Sequence, residues 1–346
     1  MDHDRNGHDP APDGIAGLPL DEAVDAVVAR DDDRTPETVR ALLDRIAEDG
    51  VVSRAGVESA LGHVATVVST PETRAENASM ALDDARETAE PVVHLDVVRS
   101  RLDAFTSRLA ALDARVEDLG DDLQDLIARA DDPDDLFAVA RGIERLTREA
   151  NAAQRTADDL ALDVEAFEEW LRNPEHRHRE LDGDADAMAG FVDDLAAATD
   201  DLAAAAEADD EGDDLGARWL DATAQHRMTG LLLDDLRAEL ADVRAWPAAG
   251  SDADAAAAAE SDLPPAHGTG DEDRLDRIDE RLDDLDAERD RIGERLDDRA
   301  RPEWRERYDD RLATIERTLA DFDPPVHWGD VQAALDDHRL GIGPDR

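Results

Sequence analysis

Between residues 95 and 126 apolar side chains recur at intervals of three and four without a lapse: Leu95, Val98, Leu102, Phe105, Leu109, Leu112, Val116, Leu119, Leu123 and Leu126. On an α-helix that spacing gathers them into one narrow stripe, the seam of a coiled coil. A strand would scatter them over both faces, because its side chains alternate with period two. The same rhythm resumes at Leu136 and runs through Val139, Ile143, Leu146, Ala150, Ala153, Ala157, Leu160, Val164, Phe167 and Leu171. Only the acidic run at 131–135 parts the two series. So short a break between long helices predicts an antiparallel hairpin with arms of about 50 Å. Folding about residue 132 sets Leu109 and Leu112 beside Ala157 and Ala153, large against small, with Leu95 near Leu171.

The flanking sequence reads as more helix. Residues 1–18 are polar, with Pro and Gly, and are expected to form a disordered tail; 19–90 are expected to form a helical cap domain. Within the cap, Thr35–Pro36 and Ser53 supply helix starts and Gly50 a stop. Thr70–Pro71 repeats the start signal and predicts a fresh, Ala-rich helix to about Glu90.

Beyond Asn173–Pro174 comes a shorter pair. Its first helix carries Met188, Phe191, Leu195, Ala198, Leu202 and Ala205; its second carries Trp219, Ala222, His226, Thr229, Leu233, Leu236, Leu240 and Val243. Packed on the first hairpin, it makes residues 91–246 an antiparallel coiled-coil, four-helix bundle. Residues 247–272 read as a disordered linker and 273–346 as a C-terminal helical hairpin, with Leu275, Ile278, Leu282, Leu285, Arg289, Ile292 and Leu296 on its first arm. The expected fold is therefore all-α: elongated antiparallel coiled-coil hairpins forming a helical bundle, with a small helical N-terminal cap and a C-terminal helical hairpin.

Charge narrows the function classes. Against 38 basic residues stand 90 acidic ones, a formal net charge of −52, and every basic residue is Arg. Self-repulsion on this scale is long-ranged in dilute salt and screened to about 3 Å at molar salt, which predicts the cytoplasm of a halophile. Binding to nucleic acid or anionic lipid is disfavoured by sign. With neither Lys nor Cys, the chain excludes a Lys-bearing phosphate loop, a Schiff-base Lys, a Cys nucleophile, a disulfide framework and a thiolate metal site. No stretch approaches 18 apolar residues, and the first residues lack the pattern of a secretory signal, so a cytoplasmic location is expected.

Several polar residues stand out against the apolar seams. His176 and His178, between Glu175 and Glu180, sit two apart, a spacing that diverges on a helix, and read as part of a solvated loop. His226 and Thr229 occupy seam positions and read as register-fixing residues. Arg289 on the C-terminal seam reads as a residue that pairs with a nearby acid or selects a partner. The acidic clusters at 131–135 and 209–214 lack the alternation of a calcium loop and read as solvated turns. No catalytic, cofactor-binding or metal residue is assigned, and no cofactor or small-molecule substrate is evident. The expected function is that of a non-enzymatic interaction or scaffold protein, engaging protein partners or itself through helical seams. The alternative is a DNA-associated regulator using 36–69, where two helices and an intervening Gly-Val-Val-Ser resemble a helix-turn-helix with Arg54 as its phosphate contact.

The segments LPLDEAVDAVVAR, TPETVRALLDRIAEDGVVSRAGVESAL and VVSTPETR, followed by the heptad hairpin, resemble a haloarchaeal coiled-coil group called halo transducer proteins, over roughly residues 19–245. The resemblance implies kinship with methyl-accepting taxis transducers, whose cytoplasmic part is a long antiparallel hairpin, and hence a soluble signalling component. Phe137, Ala138, Val139, Ala140, Ile143 and Leu146 are similar to that hairpin's descending arm, one residue short in register. The kinase-contacting tip is replaced here by Asp-Asp-Pro-Asp-Asp, and no Glu-Glu pair sits within the small-residue pattern of a methylation site. The resemblance thus carries over architecture and no functional residue.

Overall fold

The computed structural model describes residues 14–30, 34–130, 135–207, 214–246, 271–326 and 328–337. The expected linker, apart from its last two residues, and both acidic turns, apart from Asp135 and Asp214, lie outside them. The protein is an all-α helical bundle with one two-stranded hairpin. Among the described residues the helices are α1 (Leu20–Val28), α2 (Pro36–Asp44), α3 (Arg54–Ala89), α4 (Asp96–Arg129), α5 (Leu136–Arg172), α6 (Pro174–Glu207), α7 (Asp214–Ala245), α8 (Asp271–Arg299), α9 (Pro302–Ala320) and α10 (Trp328–Asp337). Two compact units divide the chain: residues up to 83 with 105–164, and 84–104 with 165 onward.

In the first unit the seams form as expected. Arg108–Asp163 at 2.7 Å and Arg145–Asp122 at 3.0 Å set α4 and α5 antiparallel, and Arg74–Asp158 at 3.5 Å ties α3 to α5. Leu109 and Leu112 are buried, as are Ala150, Ala153 and Ala157 on the facing arm. Small residues there leave room for the larger Leu side chains.

Three expectations for the N-terminal region are corrected. Residues 14–18 are not a free tail: Ile15 is buried, the Gly17 amide donates to the Val52 carbonyl at 2.8 Å, and the Val52 amide donates to the Leu18 carbonyl at 3.0 Å. Gly50 does not stop a helix. It follows Asp49 in a two-residue turn, both with positive φ (53° and 78°), that pairs β1 (Ala47–Glu48) with β2 (Val51–Val52). The α2–α3 connection is therefore a hairpin, not the short turn of a helix-turn-helix. Finally, Pro71 lies inside α3, which runs on to Ala89. Nearby hydroxyls bond the preceding turn's carbonyls, Thr70 and Ser69 to Thr66 and Thr66 to Gly62, at 3.0–3.2 Å. Packing of the buried Pro71 offsets the lost donor, which costs about 3 kcal/mol in an exposed helix.

In the second unit the C-terminal helices do not form a hairpin of their own. α8 packs along both α6 and α7, and α9 packs on α7. Ion pairs fix the arrangement: Arg274–Asp182, Arg281–Asp186 and Arg295–Asp200 run α8 parallel to α6, while Arg244–Asp276 and Arg237–Asp286, both at 2.9 Å, run it antiparallel to α7. The physical reason lies in α6. Its Ala-rich seam offers little apolar area, and Leu275, Ile278, Leu282, Ile292 and Leu296 of α8 complete the core. α7 is the hub, with buried or half-buried residues almost all round between 222 and 233, as a central helix requires.

Candidate functional site

A cavity of about 610 Å³ opens in the second unit among α4, α6, α7 and the segment entering α10. Its polar lining is Ser100 and Arg101 of α4, Asp184 of α6, and Asp235 and Glu239 of α7; on α7 the last two continue to Asp242, outside the cavity, as a stripe at i, i+4 and i+7. Each engages a different group. Asp235 accepts from the Val326 amide at 2.7 Å and from Trp328 Nε1 at 2.8 Å. Glu239 accepts from Arg101 at 2.8 Å. Asp242 accepts from the Val97 amide at 2.7 Å, satisfying a donor in the first turn of α4.

Arg101 is the centre of this clamp. Its Nη2 also donates to Glu180 at 2.9 Å, and its guanidinium lies 4.3 Å from the centroid of the Trp170 ring. One cation thus answers two carboxylates and an aromatic face. The acids still outnumber it. Burial, followed by the neighbouring Glu180, Asp184 and Asp235, pushes the Glu239 carboxyl up to about 7 against the pull of Arg101. Burial ahead of Glu180 also raises Asp184, which makes no hydrogen bond to a described residue. Met188, Phe191 and Trp328 supply apolar wall.

The polar residues singled out by sequence fall elsewhere. His176 and His178 are helical, in the first turns of α6, and His178 is fully buried, so the expected solvated loop is corrected. Between them Arg177 is buried as well. Its Nη1 donates to the Trp170 and Leu171 carbonyls at 2.8 and 2.9 Å, closing the C-terminus of α5, and its guanidinium sits 3.9 Å from the centroid of the Trp246 ring. Burial pulls it down to about 10.

His226 and Arg289 prove to be partners across α7 and α8. His226 Nε2 lies 3.1 Å from the Arg289 carbonyl and rests where a side chain on Gly293 would stand; Arg289 Nη1 rests where one on Gly230 would stand. Each long residue fills the notch left by the opposite glycine, which pins the register. Burial, then Arg289, lowers the His226 imidazole. Thr229 is buried and turns its hydroxyl back to the Gln225 carbonyl at 2.8 Å. Arg54 faces Glu58 at 3.7 Å, one turn along α3.

The α7 stripe was missed in the sequence, although its i, i+4, i+7 acids are visible there. In a chain this acidic such triplets recur, and only the tertiary partners set this one apart. Among the described residues no His, Asp and Glu side chains group to hold a metal ion, and no helix is long and apolar enough to cross a membrane. No protein family, curated protein or solved structure matches the chain.

Proposed function

We propose that this is a non-enzymatic interaction protein: a cytoplasmic helical scaffold that engages protein partners or a second copy, with a transducer-like signalling component as the finer version. The observation that supports the reading is the use made of the α7 acids. Asp235, Glu239 and Asp242 hold the α10 entry and α4 in place, so the most convergent polar groups of the second unit act as a clamp between helices. A clamp of this kind fixes which surfaces neighbouring helices present.

A second reading is favoured by the same cavity. Three lining carboxylates, Asp184, Asp235 and Glu239, against one Arg101 that Glu180 also engages, beside Phe191 and Trp328, suit a small organic cation.

Affinity capture of the tagged full chain from its source cells at molar KCl, read by mass spectrometry of proteins and of small molecules, separates the two. The scaffold reading expects a stoichiometric protein partner, or self-association by light scattering. Recovery of a taxis kinase or coupling protein would establish the signalling version. A co-purifying organic cation that is lost on Asp184→Asn, with no protein partner, would replace the scaffold reading with ligand binding.

A further inference from the structure

A second cavity, of about 510 Å³, lies within the first unit among α2, α4 and α5. Four guanidinium groups line it: Arg129 from the last turn of α4, and Arg141, Arg145 and Arg148 at i, i+4 and i+7 on α5. Two acids of the lining are already engaged. Asp122 holds Arg145 at 3.0 Å, and Glu144 pairs with Arg45. Arg129, Arg141 and Arg148 form no ion pair or hydrogen bond with any described residue, and among the described residues Asp125 is the one further acid on the wall. Among the described residues the cavity therefore presents about two positive charges without an acid against them, in a chain whose net charge is −52.

That surplus is not a shortage of counter-charge. The chain carries 90 acids, and elsewhere its arginines take them one helical turn away, as Arg172 does Glu168 and Arg289 does Asp286. Arg145 repels Arg141 and Arg148 at i,i+4 and i,i+3, by a few tenths of a kcal/mol per pair, and Glu144, the acid on the same face between them, is engaged by Arg45. The stripe spans about 10 Å along α5, too long for a single carboxylate to answer. Planar forks distributed over that length suit oxygens of a ligand carrying two or more charges, and guanidinium pairs with phosphate bidentately. The volume is that of a small-molecule site rather than of a bare ion.

We propose that this cavity binds a phosphorylated small molecule, a phosphate ester or polyphosphate, through Arg129, Arg141 and Arg148, over a floor that includes Leu126 and Gly142. The proposal is independent of the scaffold reading.

The test is calorimetric titration of pyrophosphate into the full-length protein in 1 M KCl, where screening to about 3 Å leaves only direct contacts. Saturable binding of one pyrophosphate per chain is expected. Arg141→Gln and Arg148→Gln should each weaken it about tenfold or more, the scale of a charge-assisted hydrogen bond. Arg155→Gln, an exposed arginine of α5 outside the cavity, should leave it unchanged. Absence of saturation, an equal loss in Arg155→Gln, or equal affinity for sulfate would overturn the proposal. So would binding that appears only when Asp131, Asp132 and Asp134, which follow Arg129 closely in sequence, are replaced together by Asn.

Discussion

Two stripes of the same spacing and opposite charge serve opposite ends. On α7, Asp235, Glu239 and Asp242 each meet a donor from another element, so the fold itself cancels their repulsion. On α5, Arg141, Arg145 and Arg148 share that spacing, yet among the described residues only Arg145 is answered, by Asp122. Local sequence makes both stripes alike, three like charges over two turns of helix. Tertiary structure makes one a fastening and leaves the other open. Stability is built in where the partners are internal, whereas along the open stripe the proposed ligand would be what adds it.

Removing the cation from the closed stripe should have the largest effect. Arg101→Gln leaves Glu239 and Glu180 facing each other without their shared guanidinium, and takes the stacking from Trp170. Breaking a fully buried pair costs about 3–5 kcal/mol; with Arg101 about one quarter exposed, we expect about 2–3 kcal/mol. Tryptophan fluorescence during denaturation reads it cleanly, since Trp170, Trp219, Trp246, Trp304 and Trp328 all belong to the second unit. A loss below about 0.5 kcal/mol would mean that the α7 stripe is solvated rather than fastened.

How much of this was legible follows from the range of each interaction. The seam from Leu136 to Leu171 is buried at every position read from the 3–4 rhythm, because periodicity reports which face meets the core. The α6 seam was read correctly at Met188, Leu195 and Leu202, all buried, and misplaced between them: Val192 and Thr199 are buried and Ala198 is exposed, since alanines on several faces blur the stripe. Asp49–Gly50 between short apolar runs is a hairpin signal, overlooked because a glycine after a helical pattern also reads as a stop. Pro71 and the docking of α8 on α6 and α7 depend on tertiary packing, which no local propensity encodes. The candidate sites were the least legible. Carboxylates and arginines lie everywhere in the chain, and only their three-dimensional pairing separates Glu239 or Arg141 from the rest.

Acidity should sharpen the comparison by a smaller amount. The Glu239 carboxyl sits at about 7 in the folded chain against an ordinary 4.5, with burial as the main cause. Between those values the folded chain keeps a proton that the unfolded chain has released. Its contribution therefore falls as pH rises from about 4.5 to about 7, and is flat outside that window. His226 runs the other way: its lowered imidazole means the unfolded chain is the better proton acceptor below about 6.5, so its contribution falls on acidification. Because the two oppose, the wild-type profile alone is ambiguous, and Glu239→Gln isolates the first. The stability of the wild type minus that of the variant should decline steadily between pH 5 and pH 7.5. A difference that stays constant across that range would show that Glu239 is ionised in the fold.

The smallest effect is the one of unusual sign. Arg141→Gln and Arg148→Gln remove like-charge repulsion along α5 and no bond to a described residue, so each should leave the first unit unchanged or more stable by up to about 0.5 kcal/mol. Arg295→Gln on the second unit's flank removes an ion pair to Asp200 and should cost up to about 1 kcal/mol. The first unit has no tryptophan, so hydrogen exchange of α5 peptides within residues 136–164 is the appropriate measurement. Saturating pyrophosphate should reverse the order of wild type and variants, because a ligand adds stability in proportion to the logarithm of its occupancy ratio. If either arginine variant loses protection without ligand, the stripe is already answered inside the chain. The contrast between α5 and α7 would then be one of partners not yet identified rather than of partners absent.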